Sequence, residues 1–160
     1  MRVLLCVDGG APGRLVSAAL PLLSAGAIWT TLHVIDTRGR VDLGLLRAGV
    51  PGSGSLGANQ RALIQDAEQE HGRTVVAAAE ASLEAHALIR ESSRIEVGEP
   101  GRVICASATE ISADLVILFA RRHGGGPSTG PPSVGHTARF VVDHAPCPVL
   151  LVRGQGVRAR

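Results

Sequence analysis

The alternation of apolar and polar positions divides the chain into short strands and longer amphipathic helices. Five brief apolar runs stand out: residues 3–7 (VLLCV), 30–35 (TTLHVI), 94–97 (RIEV), Leu115–Phe119 and Val149–Val152. They are rich in β-branched residues or leucine, and several are apolar without alternation. An unbroken apolar run signals a strand buried on both faces, as in a parallel sheet covered by helices. Helical periodicity fills the spaces between. Pro12 suits a first helical turn, and Leu15, Ala18, Ala19, Leu22 and Leu23 then recur at helical spacing until Gly26. Residues 58–89 carry Leu63, Ala67, Val75, Ala79 and Leu83 on one stripe, with Gly72 as a place for a kink. Glu99-Pro100 opens a third helix that turns Val103, Ile104, Ala108 and Ile111 inward. A fourth runs from Gly135 to His144 and is stopped by Pro146 and Pro148.

Strands alternating with helices imply right-handed crossovers and an α/β, doubly wound parallel sheet. Two Gly/Pro-rich loops interrupt it, at residues 49–57 and 124–135. In an open parallel sheet, ligands bind beyond the C-terminal strand ends, where the strand order reverses. The tips to inspect are therefore Asp8-Gly9-Gly10, Ile35-Asp36, and the stretch from Ala120 through the glycine loop to Gly135-His136-Thr137. A helix start offers unpaired amides and a partial positive charge, and glycines let a phosphate approach the backbone. This is a candidate phosphate cradle without lysine.

Composition narrows the function classes. A length of 160 residues suits one domain, here residues 1–154, with a frayed basic tail at 155–160. The only aromatic residues are Trp29, Phe119 and Phe140, so the platforms on which single-stranded nucleic acids stack are missing. All 16 basic side chains are arginine, which removes the P-loop lysine and Schiff-base chemistry. Cys6, Cys105 and Cys147 lie far apart in sequence with no CxxC, which fits reduced thiols in the cytoplasm. No apolar run reaches membrane-spanning length. Neither nucleic acid nor membrane is therefore an expected partner.

Two motifs mimic active sites. Gly126-Pro127-Ser128-Thr129-Gly130 satisfies G-x-S-x-G, but a nucleophile elbow needs a strand leading in and a helix leading out, whereas Pro131-Pro132 follows here. Gly52-Ser53-Gly54-Ser55-Leu56-Gly57 satisfies G-x-G-x-x-G, but it follows Pro51 in a loop rather than the first strand. The six histidines show no metal spacing. His33 reads as a core residue on a strand, and His136 as a helix-start residue able to donate to a phosphate.

Four blocks in order resemble the universal stress protein family: Val3-Leu4-Leu5-Cys6-Val7-Asp8-Gly9-Gly10, Leu32-His33-Val34-Ile35-Asp36, Val97-Gly98-Glu99-Pro100 with Ala113-Asp114-Leu115-Val116-Ile117, and His144-Ala145-Pro146-Cys147-Pro148-Val149-Leu150-Leu151-Val152. The resemblance implies a five-stranded parallel sheet of order 3-2-1-4-5, Rossmann-like and of the adenine-nucleotide-hydrolase-like type. It also implies a homodimer through the last strand, Val149–Val152. Many members bind ATP or AMP, with Mg²⁺ arriving only with the nucleotide, and others bind none. Carried over position by position, Asp8 and Gly9 fall at the turn near ribose and adenine, and Val34 at the adenine flank. Gly125, Gly135, His136 and Thr137 fall on the phosphate motif, and Arg121 is placed to pair with a phosphate. The motif is half present. Gly125 and Gly135 keep the family's nine-residue spacing, but Arg122 stands where the first glycine belongs and His136 where Ser or Thr belongs. Phe119 or Ala120 replaces the glycine that ends the fourth strand.

The sequence thus reads as a stress-response or regulatory domain that binds ATP or another adenine nucleotide at the C-terminal edge of the sheet and acts on a protein partner it does not name. A nucleotide-free dimerisation module of the same fold is the alternative. A third reading, an adenine-nucleotide hydrolase, has no visible pairing of nucleophile and base to support it.

Overall fold

The structure is a computed structural model and describes residues 1–9, 11–23, 26–37, 58–86, 88–120 and 133–153. In chain order the elements are β1 (Arg2–Val7), α1 (Pro12–Ala19) with a 3₁₀ turn (Leu20–Leu22), β2 (Ile28–Asp36), α2 (Ala58–Glu84), β3 (Ile89–Gly98), α3 (Pro100–Glu110), β4 (Leu115–Phe119), α4 (His136–His144) and β5 (Val149–Val152). All strand pairs are parallel, and the five strands form one sheet in the order β3-β2-β1-β4-β5.

β1 occupies the centre because its apolar run satisfies both faces. Successive side chains on a strand leave on opposite sides. Val3, Leu5 and Val7 pack with Leu15 and Val16 of α1 and with Val75, Ala79 and Leu83 of α2. Leu4 and Cys6 pack with Ile104 and Ala108 of α3 and with Ala138 and Val141 of α4. Two helices therefore cover each face, and Val3, Leu4 and Leu5 are completely buried.

Three expectations need correction. First, α1 stops at Ala19, well short of Gly26, and Leu22 is 66% exposed. The cause is Pro21, which has no amide to continue the helical ladder and tightens the chain into the 3₁₀ turn. Second, the stripe on α2 is buried only in its later part. Val75, Ala79 and Leu83 enter the core, while Ala67 is exposed and Leu63 is 68% exposed. Periodicity identifies a helix's apolar face but not whether a partner lies opposite it. Gly72 is a docking point within one continuous helix: a Cβ there would stand 3.1 Å from His33 Cδ2 and 3.2 Å from Ile95 Cγ2.

Third, α2 ends at Glu84 rather than near Ile89, and β3 spans ten residues rather than only 94–97. β3 pairs only with β2 and so forms an edge. An edge strand needs no unbroken apolar run, and Arg90, Glu91, Arg94 and Glu96 disguise this one. Its charges are tied down by packing. Glu80 of α2 accepts a hydrogen bond from Ser93 Oγ and pairs with Arg90, and Arg94 pairs with Glu110 at 2.8 Å.

The Ser93 hydroxyl, followed by Arg90, holds the Glu80 carboxyl below its ordinary value of 4.5. A carboxylate whose folded value is depressed contributes stability above its ordinary value, and that contribution is lost as pH falls through the folded value. Glu80→Gln is expected to cost about 1 kcal/mol at neutral pH, a modest figure because the pair is partly solvated. Urea denaturation of both proteins should show the gap closing as pH falls below 4.5; a gap independent of pH would contradict this assignment.

Candidate functional site: a crevice where the strand order reverses

β1 lies between β2 and β4, and the chain leaves it toward opposite edges of the sheet. β1 and β2 are followed by α1 and α2 on one face, and β3 and β4 by α3 and α4 on the other. A crevice of about 540 Å³ opens beyond the C-terminal ends of β1, β2 and β4, on the side of α3 and α4. Its floor is apolar, formed by Cys6, Leu32, Val34, Ile104, Leu118 and Ala138. Asp8 and Asp36 lie at its rim, just past β1 and at the end of β2, and Gly135, His136 and Thr137 bring the start of α4 against it.

Local chemistry explains both walls. After Val7 the backbone turns through Gly9 at φ +81°, a conformation that L side chains rarely adopt. Across the crevice, Gly135 takes φ 94° and ψ 160° as the N-cap of α4. That region is open essentially to glycine alone. Gly135 makes no side-chain cap, so capping leaves the first-turn amides of α4 to other acceptors, and no acidic residue in that turn offsets the partial positive charge. Ser133 Oγ accepts the Gly135 amide at 3.2 Å, and the Gly135 carbonyl accepts the Arg139 amide at 3.0 Å. Phe140 holds the helix in place by lying on Gly101 of α3, where a Cβ would come within 2.7 Å of its ring. The Arg102 guanidinium carbon lies 5.9 Å from the centre of the same ring.

Of the residues singled out from sequence, Asp8, Val34, Gly135, His136 and Thr137 meet around this one crevice. Gly9 adjoins Asp8 in the turn. Arg121 and Gly125, like Arg122, the G-x-S-x-G segment and residues 155–160, lie outside the described residues. Phe119 does not plug the hollow. It borders the crevice but packs with the cluster on the opposite face of the sheet. Sequence reading missed most of the floor. The missing step was register: Cys6 pairs with Leu32 of β2 and Leu118 of β4, and Val34 follows Leu32 by one strand period.

The structure gathers the three cysteines that the sequence separates. Cys6, Cys105 and Cys147 all join the cluster beneath α3 and α4. Burial is the main force raising all three thiols; Cys105 and Cys147 push Cys6 further up, Cys147 acts on Cys105, and Asp114 acts on Cys147. Such thiols stay protonated and are poor nucleophiles at neutral pH. Among the described residues, no group of three or more His, Cys, Asp or Glu side chains could hold a metal ion, and no helix is long and apolar enough to cross a membrane.

The model of the universal stress protein family matches residues 1–153. The chain belongs to this family. Solved structures agree in fold. A universal stress protein family member from Arabidopsis thaliana, with AMP bound, is 16% identical, with 100% of this chain and 95% of that one covered and a TM-score of 0.62. A member from Burkholderia pseudomallei is 24% identical over 94% of each chain, with a TM-score of 0.60. A universal stress protein in complex with cAMP is 18% identical, covering 95% of this chain and 96% of that one, with a TM-score of 0.55. No curated protein matches the chain significantly.

Gly135→Ala puts a Cβ on backbone that only glycine adopts without strain. It is expected to lower stability by about 1–3 kcal/mol. Urea denaturation checks this, and an alanine variant as stable as the parent would show that the start of α4 is not held in the described conformation.

Proposed function

We propose that the crevice holds an adenine nucleotide, AMP or ATP, and that the protein is a regulatory stress-response domain rather than a catalyst. One observation carries this reading: an acidic turn and the amide-bearing start of a helix converge over an apolar floor large enough for a nucleoside. The base lies on the floor against Val34, and Asp8 accepts from a ribose hydroxyl. The amides of His136 and Thr137, with their side chains, hold phosphate oxygens. Gly9 and Gly135 let backbone approach the ligand closely. Arg121 and Gly125 are assigned to the phosphate side from sequence alone. Mg²⁺ enters only with the phosphates of ATP. The AMP-bound and cAMP-bound neighbours support the choice of an adenine nucleotide. The nucleotide then acts as a switch, shifting the shape offered to a protein partner. Three free cysteines suit a cytoplasmic setting.

The same reading makes the protein a homodimer joined through β5. The two sheet edges differ in kind. β3 carries four charged residues that discourage strand pairing, whereas β5 is Val-Leu-Leu-Val, half-buried and uncharged.

Thermal unfolding with AMP, and with ATP and Mg²⁺, tests the ligand. At about a hundred times Kd a bound nucleotide adds roughly 2.7 kcal/mol of stability. Asp8→Asn should lose most of that gain. No shift with either nucleotide would favour the nucleotide-free dimerisation module. Sedimentation tests the second claim: a dimer is expected at micromolar concentration, and monomer alone would contradict pairing through β5.

A further inference from the structure

The turn that carries Asp8 is gripped by two imidazoles: His33 of β2, which also borders the crevice, and His71 of α2, which packs on the opposite face of the sheet. His33 stands on β2 opposite Val7 in the strand register and is 7% exposed. Its Nδ1 lies 2.9 Å from the Val7 carbonyl oxygen. A carbonyl can only accept, so Nδ1 carries the hydrogen and donates it. This bond fixes the last peptide of β1, directly before Asp8. The second imidazole comes from α2. His71 Nε2 would be 3.1 Å from a Cβ on Gly9, so the ring lies against the turn just past Asp8. The two rings meet edge to face, 6.2 Å apart at 80°. Gly72 makes this possible, since its missing side chain lets α2 settle on His33 and Ile95 and brings His71 over Gly9.

We propose that His33 and His71 are positioning residues for the crevice: they hold the turn at the peptide before Asp8 and at the residue after it, and so set where the Asp8 carboxylate stands. The clamp also ties the seat of α2 to the site, although α2 packs on the opposite face from the crevice floor. The inference rests on reading the crevice as a nucleotide site, but its structural half can be judged without a ligand.

The test compares His33→Leu, His33→Asn and His71→Ala with the parent protein, using AMP calorimetry and amide ¹H–¹⁵N spectra of the ligand-free proteins. The asparagine amide nitrogen replaces Nδ1 as a donor, whereas leucine preserves the packing and removes the donor. His33→Leu is expected to weaken AMP binding about tenfold and to move the Asp8 and Gly9 amide resonances. His33→Asn should restore the resonances and bring affinity back to within about threefold. A role in packing alone reverses this ranking. The proposal is overturned if His33→Leu leaves either readout unchanged, or if asparagine rescues no better than leucine. If the parent protein fails to bind AMP, the nucleotide reading falls by itself, and the Asp8 and Gly9 resonances decide the clamp. If His33→Leu does not fold, His71→Ala decides, because it deletes an exposed ring: a moved Gly9 resonance supports the clamp and an unmoved one overturns it.

Discussion

β1 is hydrogen-bonded on both edges and buried on both faces, and the rest of the molecule is arranged around that constraint. Its buried residues, Val3 to Val7, must therefore be apolar throughout, so it can carry polar chemistry only at its ends. It ends at Val7, and Asp8 is the first charged residue beyond the buried run. The neighbouring strands β2 and β4 are reached by crossovers on opposite faces. Their C-terminal ends cannot be closed over by a single connection, and the crevice is the space left between them. The site is therefore a consequence of the strand order, and its floor consists largely of the same side chains that form the core beneath α3 and α4.

Close helix docking turns this space into a defined shape. Gly101 lets Phe140 lie against α3 and fixes the start of α4 at one wall, while Gly72 lets α2 settle on β2 behind the other. Each contact depends on a missing Cβ, and each bears on the crevice from a different layer. The chemistry that results is suited to holding a ligand. Burial keeps the thiols protonated, and the rim carries the carboxylates of Asp8 and Asp36 together with His136 and Thr137 at the start of α4.

The fold was legible where burial is two-sided. The runs that became β1 and β4 showed their nature because both faces are packed, and β5, though an edge, because its side chains pack in part against both core clusters. The apolar pattern marks only part of β3, because an edge strand lies under weaker constraint and its arginines and glutamates resemble a helix surface. Pro21 breaks α1 inside an otherwise regular periodicity, and the early turns of α2 have an apolar face with no core opposite it. At the site, Asp8 and Gly135 to Thr137 could be picked out because strand tips and helix starts are marked in sequence, whereas Val34 came only through the family resemblance. Cys6, Leu32 and Leu118 could not, because their convergence depends on which strands become neighbours and in what register.

In the proposed reading, the turn after β1 and the start of α4 are the two walls of one nucleotide site. Titration of ¹⁵N-labelled protein with AMP tests it most directly. With one site, the amides of Asp8, Val34, Gly135, His136 and Thr137 shift together along one saturable curve. Shifts confined to one wall, or to residues away from the crevice, would contradict it.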